Sequence, residues 1–339
     1  MIRVFESLED VSLGRQGCDT VVAFGSFDGL HWAHRELIGR VIREARARGG
    51  LSVVLSFSNH PLSVLAPPYC PKLLLSPRRK LEILEQLGVD VAILPEFTRE
   101  LARMPAERFL RECLIERIGM RHIVVGYDCR FGAEGKGDGE MLKSAAPRLG
   151  FTVEAMGPMR EGGAVIGSRA IRSLLNLGRV EAAAALLLRP HELAGRVVQG
   201  DKRGRQLGFP TANLEFDPRY LIPAAGVYAI WADAAGTRYG GMINLGRRPT
   251  FGRMAFVPEA HLFSFEGDLY GQEIVVYFLG RLRGEKRFAN AEALRRQLER
   301  DRQRARRALL RHGHAAPGRK LDVSAEAMPG NGEADETHS

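Results

Sequence analysis

Short apolar runs alternate with amphipathic stretches through residues 1–188, and the alternation stops at Arg189-Pro190. Runs at 21–27, 51–57, 89–94, 122–127 and 151–156 read as buried strands. Between them, 32–48, 77–87, 98–118 and 169–177 carry helical spacing, and Pro77 suits a first helical turn. A proline-rich loop crosses 59–71 and a glycine-rich loop covers 132–139. Apolar strands that take turns with helices predict a parallel sheet covered on both faces, an α/β domain. Beyond Arg189-Pro190 the pattern becomes short strands at 195–199, 226–232, 239–245, 260–265 and 273–279, separated by turns rich in Gly, Pro and Asp. That spacing predicts a small antiparallel β-barrel. The arginine-rich segment 281–311 reads as a helix that closes it, with Leu294, Leu298, Ala305, Leu309 and Leu310 as the apolar stripe. Residues 313–339 are polar and rich in Gly, Pro and Glu, the composition of a disordered tail. The expected division is therefore 1–188, 189–312 and a tail 313–339.

A chain of 339 residues is long enough for two cores. It contains no apolar run long enough to span a membrane, and its acidic, polar start lacks a signal-peptide core. Cys18, Cys70, Cys113 and Cys129 have neither zinc nor disulfide spacing, which predicts free thiols in a reducing cytoplasm. The net charge of +9 invites a nucleic-acid hypothesis. Much of the excess lies in the arginine-rich helix, where a solvated face explains it, and no aromatic-rich RNA motif or zinc finger accompanies it. We expect no nucleic-acid partner and no membrane.

The phrase GRVVQGDKRGRQLGFPTAN, from Gly195 to Asn213, carries the densest chemistry. Glycines allow close backbone approach, and such loops can cradle phosphates with N–H groups. Thr211 and Asn213 supply hard oxygen donors of the kind Mg²⁺ takes. A nucleotide-phosphate grip and a plain glycine-rich turn of a β domain both satisfy these residues. The phrase resembles the signature of riboflavin kinases. So do Pro223 to Tyr228, Asn244-Leu245-Gly246, Arg248 to Phe251, Glu259-Ala260-His261-Leu262, Asp268-Leu269-Tyr270-Gly271, and Leu282-Arg283-Gly284-Glu285 with Phe288, Leu294, Gln297 and Asp301. The resemblance implies ATP, riboflavin and FMN as ligands, with Gly208, Phe209, Pro210, Thr211, Asn213 and Arg283 in the binding site. It implies Mg²⁺ on Thr211 and Asn213, and Glu259 as the general base. His261 is expected to pack or bond inside the barrel.

In the first half the key phrase is Gly25-Ser26-Phe27-Asp28-Gly29-Leu30-His31-Trp32-Ala33-His34, where the first buried run meets the first helix. Ligands of open α/β sheets bind at such strand ends, and a helix N-terminus favours phosphate. Two histidines three residues apart can hydrogen-bond phosphate oxygens, but capping or packing explains them as well. No G-x-G-x-x-G follows the strand, which disfavours a dinucleotide cofactor.

The phrase resembles the first signature of H-x-G-H nucleotidyltransferases, and more narrowly the FMN adenylyltransferase half of bifunctional riboflavin kinase/FAD synthetases. Phe57 with His60-Pro61, Arg79-Lys80-Leu81, Leu87 to Asp90, Gly126 to Gly132, and Ile166, Ser168, Ile171 and Arg172 follow in the family's order. The resemblance implies a Rossmann-like nucleotidyltransferase domain that makes FAD from FMN and a second ATP. It places His31 and His34 on the triphosphate and Arg172 on the departing pyrophosphate. Gly25, Phe27, Asp28, Gly29, Asp128 and Ser168 line the site. Five positions depart from the motifs: Ala33, Asn59, Cys129, Gly167 and Arg169. They keep open an alternative, a riboflavin kinase whose first domain is silent or repurposed.

Overall fold

The computed structural model describes residues 1–14, 17, 19–200, 208–250 and 253–312, with the side chains of 247–250 and 253–255 left aside. The expectation of a disordered tail at 313–339, most of the charged centre of the Gly195–Asn213 phrase, Phe251 and Cys18 lie outside the described residues.

The first domain is a six-stranded sheet in the order β1 (Arg3–Phe5), β4 (Val91–Ile93), β3 (Leu51–Leu55), β2 (Thr20–Phe24), β5 (Met120–Gly126), β8 (Thr152–Met156). Every pairing is parallel. Alternate residues feed two separate cores. Val22, Val53, Val91 and Ile123 pack on one face, and Val21, Ala23, Val54 and Ala92 on the other. Burial on both faces explains the nearly continuous apolar runs of these strands. On the second face lie α1 (Trp32–Arg48) and α3 (Pro77–Leu87), the latter following a short α2 (Leu62–Leu65). The chain leaves β2 toward β3 on one side and later returns to β5 on the other. The crevice between the ends of β2 and β5 is thus the topological switch point, the place where such sheets bind ligands.

Two expectations are corrected here. The helix expected at 98–118 is broken by Pro105, which separates α4 (Arg99–Arg103) from α5 (Ala106–Arg108). The chain continues from α5 as the wider-wound turns Phe109–Arg117, where the Ile118 N–H reaches back to the Cys113 carbonyl. The glycine-rich loop at 132–139 holds a small hairpin, β6 (Arg130–Phe131) with β7 (Gly137–Asp138). Past α6 (Gly139–Leu149) a second hairpin joins β9 (Arg160–Glu161) and β10 (Ala164–Val165) before α7 (Ser168–Asn176) and α8 (Val180–Leu187).

The second domain is a closed barrel in the order β11 (His191–Val198), β12 (Ala212–Phe216), β15 (Arg253–Leu262), β14 (Thr237–Thr250), β13 (Gly226–Ala234), β16 (Glu273–Arg283). Leu193, Leu214, Phe216, Ile230, Ile243, Ala260 and Val276 point inward. Val227, Ala229, Trp231 and Met242 point outward against Ala305 and Leu309 of the closing helix Ala291–His312. The segment expected to be helical from 281 instead stays in β16 through Arg283, and the helix begins at Ala291.

The domains share packing. Leu74, Ile171, Leu175 and Leu187 join the inner barrel residues in one cluster. Leu73 exchanges backbone hydrogen bonds with Arg219 and Leu221, both 2.9 Å.

Candidate functional site

Two sites emerge, one at each expected motif. In the first domain the loop after β2 turns sharply, with φ of +45° at Phe27, +88° at Gly29 and +41° at Leu30. Phe27 and Leu30 pay strain for this conformation, and their burial at 2% and 0% exposure holds them in it. Gly29 is the position where a side chain would add strain and also crowd Leu74. The turn delivers His31 as the N-cap of α1, its Nδ1 accepting from the His34 N–H at 3.4 Å. That bond leaves the His31 proton on Nε2. Burial, with Arg189 and Arg172 nearby, lowers His31 to about 4. Burial also holds His34 well below its usual value, with help from His31 and Lys80, and the two rings stack at 3.6 Å. Both imidazoles are therefore neutral at pH 7, and they offer N–H donors rather than charge. Positive charge comes from Arg172 on α7.

Arg172 is held from two sides, by Nε to the Lys72 carbonyl at 2.9 Å and by Nη2 to Asp28 Oδ2 at 2.5 Å. Asp28 also accepts from the Leu74 N–H at 3.0 Å. Burial raises the Asp28 carboxyl, and Arg172, Leu74 and Lys80 oppose the rise. Ser168, first residue of α7, donates to the Asp28 carbonyl at 2.8 Å. The structure thus brings Asp28, His31, His34, Ser168 and Arg172 together, with Gly25, Phe27 and Gly29 shaping the loop. Asp128 stands exposed on the turn after β5, across the switch point. Among the described residues no hydrogen bond ties it to this group.

Lys80 was matched only as part of a motif, and its place in the site is legible only in three dimensions. It is 5% exposed and donates to the Ser26 carbonyl, Ser56 Oγ and the Phe57 carbonyl at 2.9, 2.9 and 3.0 Å. It clamps the ends of β2 and β3 beside a cleft lined by Asp28, His60 and Asn59. Burial brings its ammonium down to about 8, against the pull of Asp28.

The departures from the motifs are accommodated. Asn59 pins its loop to Phe97, accepting from its N–H at 2.8 Å and donating to its carbonyl at 3.1 Å. Cys129 is a protonated thiol, pushed up to about 12 by burial and by Asp128. Gly167 caps α7 with an extended φ of −171°, which any residue adopts. Arg169 is exposed, and Ala33 is half-buried in the first turn of α1.

In the barrel, strand register builds the second site. Asn213 on β12 pairs with Glu259 on β15, Glu259 with Asn244 on β14, Asn244 with Val227 on β13, and Val227 with Arg283 on β16. Because neighbours along a strand alternate faces, and Ala260 faces inward, this row lies on the outer wall. Thr211 lies two residues before Asn213, just ahead of the start of β12. Gly208, with φ of +79°, and buried Phe209 lead into it past exposed Pro210. His261 packs on the outer wall rather than inside the barrel. Its Nδ1 lies 2.8 Å from the Pro210 carbonyl, and its ring sits between Phe209 and Phe263. Arg283 Nε bonds the fully buried Asp301 at 2.9 Å, and Gln297 completes that carboxylate.

The hard oxygens of Thr211 and Asn213, with Asn213 paired across the strands to the carboxylate-bearing Glu259, fit Mg²⁺. Among the described residues no cluster of three or more His, Cys, Asp or Glu offers another metal site. Gly200 explains itself here, since a Cβ there would lie 1.9 Å from Asn213 Nδ2. Gly200→Ala is expected to displace Asn213 and lower FMN formation by at least about tenfold, the effect of a small misplacement. FAD formation from supplied FMN should be untouched. Unchanged riboflavin turnover in this variant would free Asn213 from its assigned place.

The class is now defined: a nucleotidyltransferase-type parallel-sheet domain followed by a kinase-type closed barrel. The FAD synthetase family matches residues 15–170 and the riboflavin kinase family residues 187–309. The chain belongs to the bifunctional riboflavin kinase/FMN adenylyltransferase family. It is 36% identical to that protein from Escherichia coli K12 over 86% of this chain and 93% of the relative. It is 35% identical to that of Bacillus subtilis 168 over 84% and 91%. A solved chain titled a macrolide-efflux protein from Streptococcus pneumoniae superposes with a TM-score of 0.81 at 31% identity, covering 89% of this chain and 98% of that one. Among the described residues no helix is long and apolar enough to cross a membrane.

Proposed function

We propose that this chain phosphorylates riboflavin to FMN on the barrel and adenylylates FMN to FAD on the first domain, using one ATP at each step. The observation that carries the reading is the cross-strand pairing of Asn213 with Glu259 on a barrel of the riboflavin kinase family.

In the first step Glu259 takes the proton of the ribityl 5′-hydroxyl as its oxygen attacks the γ-phosphorus and the bond to ADP breaks. Thr211 and Asn213 would hold Mg²⁺, which neutralises phosphate charge during transfer. Gly208, Phe209 and Pro210 place backbone beside the phosphates. Arg283, fixed by Asp301, supports the far end of the row.

In the second step an FMN phosphate oxygen attacks the α-phosphorus of ATP and pyrophosphate leaves. The nucleophile is already an anion, so orientation and charge stabilisation supply the rate. His31 donates its Nε2–H to the triphosphate, His34 braces it by stacking, and Arg172 receives the growing charge on pyrophosphate. Asp28 and Ser168 hold the loop and α7 in register, and Asp128 faces them across the crevice.

The described cysteines Cys70, Cys113 and Cys129 stand as free thiols, which supports a cytoplasmic location. On the closing helix Arg296 and Arg302 pair with Glu292 and Glu299, and Arg302 and Arg306 lie over the Phe209 and Phe263 rings. One reaction tests the proposal: full-length protein with riboflavin, excess ATP and Mg²⁺, and flavins separated over time. FMN followed by FAD is expected. FMN without FAD would reduce the function to riboflavin kinase alone, and no FMN would overturn the assignment of Glu259 and the 208–213 segment.

A further inference from the structure

Beneath the first-domain loop lies a group of arginines that belongs to neither reaction. Arg189, in the connection between the domains, donates to the Gly29 carbonyl at 2.8 Å. Arg35 donates to the Leu30 carbonyl at 3.2 Å. Arg79 on α3 stands beside them and immediately precedes Lys80, the clamp on Ser26 and Phe57. These like charges repel, and burial deepens the cost. Arg189 is lowered to about 10 by burial, with Arg35 and Arg79 adding to the fall and Glu192 opposing it. Glu192 comes from the other domain, as the second residue of the first barrel strand β11. Its side chain is 8% exposed, and its Oε1 lies 2.6 Å from Arg79 Nε. Glu82 is the other carboxylate on Arg79, at 2.8 Å, but it is 42% exposed, shared with Arg78, and sits on the same helix. Asp28 opposes the Arg189 shift from the far side of the loop, while it is already committed to Arg172.

We propose that Glu192 of the kinase barrel is a positioning residue for FMN adenylylation, acting as the counter-charge that lets Arg79 and Arg189 hold α3 and the Gly29–Leu30 loop in place. The path is short. Glu192 fixes Arg79, Arg79 fixes the register of α3, and α3 delivers Lys80 to the ends of β2 and β3. Arg189 meanwhile ties the same loop to the connection leading into β11. A buried, charge-assisted pair of this kind sets geometry more than stability. One residue of the second domain is then required by the chemistry of the first. The inference rests on the reading that the His31–Arg172 group is the adenylyltransferase site.

The test is kinetic and uses the full chain. Glu192→Gln, Arg79→Gln and the double variant are compared in two assays on the same preparations, FAD from supplied FMN and FMN from riboflavin. The single variants are expected to lower kcat for FAD formation by about tenfold or more, as small displacements of a reacting geometry do. Riboflavin phosphorylation should stay within about twofold. The double variant should be no worse than either single one, because both remove the same interaction. Glu192→Asp should restore part of the FAD rate. Unchanged FAD formation in Glu192→Gln overturns the proposal, and so does an equal fall in both activities with a lowered Tm, which marks a structural role. His31→Ala serves as the reference. If it leaves FAD formation intact, the site reading fails. If it abolishes FAD formation while Glu192→Gln does not lower it, only the present inference fails.

Discussion

Glu259→Ala is expected to lower FMN formation by about 10²-fold or more, while FAD formation from supplied FMN continues at its ordinary rate. The magnitude is what a general base contributes when the proton it takes lies on the attacking oxygen. The selectivity follows from placement. Glu259 sits on β15 between Asn213 and Asn244, on the outer wall of the barrel, and the inward-facing residues beside it are Pro258 and Ala260. Removing the carboxylate therefore empties no part of the inner core, and the Tm should hold. Glu259→Gln sharpens the test, since it keeps the size and much of the hydrogen bonding but cannot accept the proton. Near-normal turnover in either variant would remove Glu259 from the role of base.

The second large effect is expected from Arg172→Ala, which should cut FAD formation by about 10²-fold and spare FMN formation. An electrostatic donor aimed at developing charge is worth that much in other active sites. The same change leaves the Asp28 carboxylate buried without its cation. Breaking a buried pair from one side costs about 3 kcal/mol, so a lowered Tm should accompany the loss of activity. The two effects separate in the double variant Asp28→Asn with Arg172→Ala. A neutral amide no longer needs a counter-ion, so stability should return while FAD formation does not.

The pH dependence has a definite sign. Burial already raises Asp28 above its unfolded value, and losing Arg172 raises it further. The folded state then binds the proton more tightly than the unfolded one, so the instability of Arg172→Ala is full above the raised value. It shrinks as the pH falls through that value. A Tm deficit of Arg172→Ala that grows on acidification would show that Asp28 is not the orphaned charge.

Periodicity and motif order were enough to predict a parallel-sheet domain followed by a closed antiparallel barrel with a closing helix. Those signals are local: an apolar run marks a buried strand, and a glycine at a strand end marks a turn. Strand β12 escaped because it is only five residues long, starting at the end of the Gly195–Asn213 phrase and stopping at Asp217-Pro218. The helix expected from 281 absorbed the end of β16 because arginines at Arg281 and Arg283 mask a strand.

What tertiary structure alone decided is which distant groups share one charge environment. Asp28 meets Arg172 across 144 positions, Arg79 meets Glu192 across 113, and Arg189 reaches the Gly29 carbonyl across 160. No periodicity encodes such pairs. They exist because packing the barrel against α7 and α8 excludes water from the seam, and a charge without water must find its partner wherever the fold has placed one.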